Sequence, residues 1–538
     1  MSPRPDALVI GAGPNGLVAA NLLADAGWSV LVLEQQDEPG GAVRSDRELQ
    51  PEFVHDTFSA FYPLAAASPV VTGLGLEQHG LEWVHAPAVL GHPTPDGRWA
   101  MLYRDRELTA AGFDEQHRGD GEAWLELCRL WDRIGDPLVR AIVMPFPPVR
   151  AGLRLATRVP GAGGLDLVRM LLTPVAELAR TRFGGAAPAL LMCGNGGHAD
   201  IPLDSPGSGV FGLLMTMLGQ TVGFPVPRGG AGELTAALVR RLESRGGSVQ
   251  CGREVSRVVV EDSRAVAVVA ADGERYEAGR AVVADVGAVP LFERLLDPED
   301  LPARIVRGMR AFQLDPGTVK VDWALDGPVP WASPPAVAPG TVHVADSVEQ
   351  MTEALGQVAA HAIPAAPFML AGQMTTTDPT RSPAGTESMW AYTHVPRPGV
   401  AVRDAGDGGI RGSWDHDDCE RFADRMQQRL EVLAPGFGSR VVTRRILGPH
   451  ELEERNANLV GGSINGGTSQ LHQELFFRPV PGMLGRPETG IRGLYLASAS
   501  AHPGGGVHGS AGANAARAAL LHDRTQRIIG RGPGHRRT

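Results

Sequence analysis

The chain opens with a short apolar run, Ala7-Leu8-Val9-Ile10, then a glycine turn, then apolar positions at helical spacing across residues 17–26 that stop at Gly27. A second apolar run, residues 28–33, ends at Glu34. Strand, turn, helix and buried strand in this order predict a βαβ unit. Beyond residue 78 the pattern changes. Helical spacing over 122–134 and 165–182 is interrupted by MPFPPVRAG and RVPGAGG, which predicts a mainly helical insert. From Gly229 the α/β alternation returns, with a helix in GGAGELTAALVRRLESRGG and three or four short strands over 248–286. Further strands are expected at 319–325 and 389–394 and a helix over 417–433. The ending GLYLASASAHPGGGVHGSAGANAARAALLHD reads as strand, glycine turn and helix, and RIIGRGPGHRRT as a frayed basic tail.

This distribution predicts an α/β fold with a discontinuous nucleotide domain drawn from 1–77, 228–300 and 481–538. A mixed α+β substrate domain, including the helical insert, takes 78–227 and 301–480. No repeat of solenoid or propeller period is present.

The first turn carries the chemistry. Gly11, Gly13 and Gly16, with Pro14 and Asn15 between them, form G-x-G-x-x-G after a strand and at the start of a helix, with Ala20 small enough for helix–sheet packing. Missing side chains let a pyrophosphate reach the helix N-terminus, where backbone N–H groups and the dipole favour anions. Glu34 is placed to take ribose hydroxyls and to repel a 2′-phosphate.

Composition narrows the classes. The formal charge of −10 gives no global field for nucleic acid. Four cysteines, none within four residues of another, exclude a CxxC redox pair or zinc knuckle and fit a reducing compartment. The start leaves no room for a signal peptide, and no 18-residue apolar stretch follows, so a cytoplasmic protein without a membrane span is expected. Among fifty basic residues there is a single lysine, Lys320. Where arginine fills every ordinary surface role, that lysine marks a place that needs a compact, titratable amine. Sixteen histidines show no paired-ligand spacing, and Asp415 to Asp418 reads as a helix cap with first-turn acids, so no metal is expected.

Past Glu34 come Gly40-Gly41, Arg44 and Ser45, and here the sequence resembles the flavin family of amine oxidases, protoporphyrinogen oxidases and phytoene desaturases. FVHDTFSAFYP (53–63, with Asp56), GGSINGGTSQLHQELFFRP (461–479) and the C-terminal glycine turn extend the resemblance over most of the chain. It is most similar to the phytoene desaturase-like group typified by pyridine nucleotide-disulphide oxidoreductase domain-containing protein 2. The resemblance implies FAD in a Rossmann-like domain of the glutathione reductase-2 type. Gly40, Gly41 and Arg44 would then serve the far phosphate and ribityl chain, Val255 the adenine, and Gly504, Gly505, Gly506 and Val507 the flavin ring. It also implies that Lys320 lies near flavin N5, and that Phe58, Phe61 and Tyr62 line a substrate channel. His502 and His508, which flank the turn, are candidate proton carriers. His198 and His472 are weaker candidates.

The expected activity is FAD-dependent removal of a hydride from a largely apolar small molecule, with flavin N5 as acceptor and reoxidation by oxygen, a quinone or another acceptor. Three alternatives remain open: a redox-neutral double-bond isomerase, an amine oxidase, which Lys320 favours and a count of only five tyrosines disfavours, and a non-catalytic escort-type protein. Arginines 150, 154, 158, 169, 180 and 182, set among apolar residues of the insert, allow a surface contact with membrane.

Overall fold

Five parallel strands form the first sheet, in the spatial order Leu494–Leu496, Ala281–Ala284, Ala7–Ile10, Val30–Leu33, Ser248–Gln250. The two central strands are buried along their whole length, as a sheet covered on both faces requires. All five run the same way, so the residues that follow their carboxyl ends, including Gly11, Glu34, Asp285 and Ser498, gather at one edge. Ligands bind at that edge in open α/β sheets. The helix Pro14–Asp25 covers one face together with Gly232–Ser244 and Ser510–Ile529. A Cβ at Gly512 would stand 1.9 Å from the carbonyl oxygen of Asn15, so the C-terminal helix rests backbone to backbone on the first turn.

In this computed structural model, which describes residues 4–145, 147, 153, 157, 163–199 and 201–529, a second sheet has seven strands. Their order is Val441–Leu447, Gly317–Leu325, Glu387–Val395, Met369–Gln373, Pro339–Val344, Ala88–Pro93, Trp99–Leu102. Alternation along Gly317–Leu325 divides its faces. Val319, Val321 and Trp323 pack with Phe422, Met426 and Leu430 of the helix His416–Leu433. Lys320 and Asp322 point the other way, onto the face shared with Trp390, Tyr392, Leu370 and His343. The helices Asp120–Val143, Ala186–Gly196 and Ser208–Thr221 roof that face.

Three expectations need correction. The stretch 165–182 is two helices, Leu165–Leu172 and Val175–Arg182, because Pro174 forces Thr173 into an extended conformation (φ −68°, ψ 135°). The helix expected over 122–134 runs from Asp120 to Val143 in spite of Pro137. Five strands, not three or four, lie between Ser248 and Ala284. Asp415 caps His416–Leu433 through the Asp418 N–H at 3.1 Å, as read. Arg150, Arg154 and Arg158 of the insert, and the tail 530–538, lie outside the described residues. Among those described, no helix is long and apolar enough to cross a membrane. Leu165, Val168 and Leu172 are nonetheless exposed on one helix.

Candidate active site

Between the carboxyl edge of the first sheet and the polar face of the second runs a cavity of about 410 Å³. One end is walled by Gly13, Pro14, Asn15 and Gly41. The two glycine turns nearly touch: a Cβ at Gly41 would lie 3.0 Å from Gly13 Cα, and Gly40 and Gly41 hold φ of +129° and +54°. Gly13 gives the helix behind it no side-chain cap, Pro14 has no N–H and the Gly16 N–H is taken by Asp285, so the Asn15 N–H is the first-turn donor left at the cavity end. Glu34 sits beneath the turn and not on the wall. Its oxygens accept the N–H groups of Ala12 (2.7 Å) and Gln36 (3.0 Å), which fixes the turn.

Asp285 closes this end from the neighbouring strand. Its Oδ2 accepts the Gly16 N–H at 2.7 Å. Burial, with Glu34 adding to it and the Gly16 bond opposing it, pushes its carboxyl up to about 7.

At the other end Gly505, Gly506, Val507 and His508 form part of the wall. The turn is fastened from behind by the fully buried Arg478, whose guanidinium donates to the carbonyls of Ala499 (2.9 Å), Asn465 (2.8 Å) and Thr468 (3.2 Å) and pairs with Glu474 at 2.8 Å. Gly504 stands on that guanidinium, its would-be Cβ 3.3 Å away. His508 accepts the Ser510 N–H at 3.0 Å through Nδ1 and faces the carbonyls of Gly504 and Gly505 with its other nitrogen. His502 bonds the carbonyl of Met144 at 3.2 Å. Burial lowers both imidazoles to about 4, so both are neutral near pH 7 and His508 braces the turn.

Lys320 lies on the cavity wall in an interior strand, almost wholly buried. Its Nζ donates to Asp322 Oδ1 and to the Asp56 carbonyl (3.0 Å). Burial lowers the pKa of the amine against the pull of Asp322. Burial also opposes the charge on Asp322, but Lys320 and Arg445, the latter at 2.7 Å, outweigh it and hold that carboxyl below the usual range. Asp56 is a hub. It pairs with buried Arg381 at 3.0 Å and accepts from Ser45 Oγ (2.7 Å) and the Ala231 N–H (2.8 Å), and Arg381 also pairs with Asp378 at 3.1 Å.

Residues 163–375 match the family of flavin containing amine oxidoreductases, and residues 9–73 match the NAD(P)-binding Rossmann-like domain. These matches make the chain similar to the flavin amine oxidase superfamily over most of its length. Pyridine nucleotide-disulfide oxidoreductase domain-containing protein 2 of Mus musculus is 28% identical, with 96% of this chain and 93% of that protein covered. The lycopene-forming phytoene desaturase of Pseudescherichia vulneris is 24% identical over 96% of this chain and 98% of its own. The fold is that of cyclohexylamine oxidase from Brevibacterium oxydans IH-35A, with TM-score 0.57 and 15% identity over 97% and 100% of the two chains.

A flavin amine oxidase fold with these relatives is an FAD-dependent oxidoreductase, and FAD is its cofactor. The residues present fit that group: two glycine turns packed on each other and on Asp285 too closely for any Cβ, the Asn15 N–H at a helix N-terminus on the cavity wall, and another glycine turn at the far end of one continuous cavity. Of the positions singled out in the sequence, Gly13, Pro14, Asn15, Gly41, Phe58, Phe61, Tyr62, Lys320, Gly505, Gly506, Val507 and His508 line this cavity. Gly11, Gly16, Glu34, Gly40, Gly504 and His502 stand behind its wall. Arg44 donates to the Arg455 carbonyl at 2.8 Å through Nη2 and lies over Phe58, while its buried Nε meets no acceptor in the protein. The Val255 side chain packs in the core with Leu8, Ile10 and Leu33. Tyr62 turns its hydroxyl to the Ser59 carbonyl at 2.8 Å.

Asp285, Arg381, Arg478 and Asn195 were not singled out. Only Asp285 carried a signal, as a carboxylate ending a buried strand of the nucleotide domain. Its folded pKa of about 7 exceeds the ordinary 3.8, so the folded protein binds the extra proton between those values. The stabilisation from that proton is complete below pH 4 and is lost as pH rises through 7, a swing of up to about 4 kcal/mol. Thermal unfolding of the FAD-free protein should therefore show Asp285→Asn gaining stability on the parent as pH rises from 5 to 8. Parallel curves would contradict the assignment.

Proposed function

We propose that the protein is a dehydrogenase or desaturase that removes two electrons from a C–C or C–N bond of a largely apolar small molecule. The observation that carries this reading is the continuity of the cavity. It runs from the nucleotide cradle, past Lys320, to a wall built by Val139, Ile142, Phe211, Leu214, Met215 and Phe224. FAD, when bound, supplies the two-electron acceptor. The chain's own residues do the rest: the apolar wall excludes water and positions the substrate, and Phe61 and Trp390, 6.0 Å apart, flank its path. Lys320 holds a positive charge at the cavity wall, where it would stabilise negative charge developing on reduction.

Anaerobic titration of the FAD-loaded protein tests the reading. Bleaching of the visible flavin bands by a polyene hydrocarbon and not by cyclohexylamine supports it. Bleaching by the amine alone would put amine oxidation in its place.

We further propose that the helix Leu165–Leu172 rests on a lipid surface. Its exposed Leu165, Val168 and Leu172, with exposed Met144 and Leu475 adjoining the wall residues Val143 and Glu474, favour this. Leu165→Glu with Leu172→Glu should reduce co-sedimentation with anionic vesicles at least about tenfold. Equal sedimentation of parent and variant would reject the contact.

A further inference from the structure

The cavity has a polar patch far from the nucleotide cradle. Pairing across the second sheet sets Lys320 opposite Tyr392, Tyr392 opposite Leu370 and Leu370 opposite His343, a single row over four adjacent strands in which the first three line the cavity and His343 lies behind its wall. At a strand spacing of roughly 4.8 Å, His343 lies about 14 Å from Lys320 along this row. Above it, His198 approaches His343 with their Nε2 atoms 3.2 Å apart. Asn195, on the helix Ala186–Gly196, lines the same part of the cavity and is fully buried. Its Nδ2 donates to Thr216 Oγ1 at 3.1 Å, but its Oδ1 meets no donor in the protein. The hydroxyl of Thr341, two residues before His343 on the same strand face and also on the wall, is likewise buried without a partner.

These groups sit in an otherwise apolar chamber whose helices supply leucine, methionine and phenylalanine. A buried amide oxygen left unmet is costly, and native interiors pair almost all such atoms. Burial lowers His198 to about 3 and His343 well below its ordinary value, so both imidazoles at this end of the cavity are neutral and neither gives an anion a positive charge.

We propose that the substrate is an elongated apolar molecule with a hydroxyl group at the end remote from the reacting bond, and that Asn195 Oδ1 accepts the hydrogen bond from that hydroxyl. Asn195 is on this account a specificity-determining residue, and Thr341 and His198 complete its polar surroundings. The inference rests on the proposed function, since it takes the Lys320 end of the cavity as the reacting end.

The probes are decan-1-ol and its methyl ether, 1-methoxydecane, titrated calorimetrically into the FAD-loaded protein. The ether is the more hydrophobic of the two and cannot donate. The alcohol should bind about tenfold more tightly than the ether, and Asn195→Leu should abolish that preference by weakening the alcohol alone. Equal affinities in the parent protein, or tighter binding of the ether, overturn the proposal whether or not the variant folds. A preference that survives in a folded Asn195→Leu protein also overturns it. Failure of the parent to load FAD, read from its visible spectrum, counts instead against the cofactor reading.

Discussion

Lys320→Met is expected to retain a full complement of FAD while slowing flavin reduction or reoxidation by about 100-fold, the scale seen when one preorganised electrostatic donor is removed from a reacting centre. The argument comes from what the amine touches. Lys320 reaches the cavity wall from an interior strand, fixed by Asp322 and the Asp56 carbonyl, and contacts none of the glycine turns. Methionine fills a similar volume. Asp322 keeps its second partner, Arg445, at 2.7 Å, so no carboxylate is left alone in the interior and the fold should persist. Separate stopped-flow measurement of the two half-reactions decides the matter. Unchanged rates in both, with FAD bound, would remove the amine from the mechanism.

Arg381→Met should have the largest effect on stability. The guanidinium is wholly buried between Asp56 and Asp378, at 3.0 and 3.1 Å. Through Asp56 it ties the segment after the second glycine pair to the Ala231 N–H, and Asp378 accepts the Gly229 N–H at 2.7 Å. Truncation leaves two buried carboxylates without their cation, a loss of about 3–5 kcal/mol when one partner of a buried pair is removed. Thermal unfolding should drop by many degrees, and FAD uptake should weaken, because Asp56 also carries the Lys320 contact. A shift below one degree would show that the two carboxylates find other partners and that this junction contributes little.

How much of this could be read from the sequence depends on how local each feature is. The glycine turns at 11–16 and 40–41 declare themselves because close backbone approach and positive φ demand glycine at those positions. The strand–turn–helix at the C-terminus is equally local. Lys320 stood out only through the composition of the whole chain, which singled out a lysine but could not say that it pairs with Asp322, two residues along the same strand face.

Arg381 and Arg478 were invisible among so many arginines, since nothing in the local pattern separates a wholly buried guanidinium from a solvated one. Asn195 lies in a helical run that reads as core, and the unmet amide oxygen exists only once the helix is docked over the sheet. Glu34 and Arg44 have the residue types the nucleotide pattern calls for, but the pattern could not show that Glu34 also fastens its own turn or that Arg44 also donates to the Arg455 carbonyl.

The central claim, that this chain is a working FAD oxidoreductase, is tested most directly by one spectrum of the purified protein, recorded oxidised, after dithionite, and after air is readmitted. The account predicts the two visible bands of oxidised flavin, their loss on reduction and their return. A colourless protein that also fails to take up added FAD would contradict it.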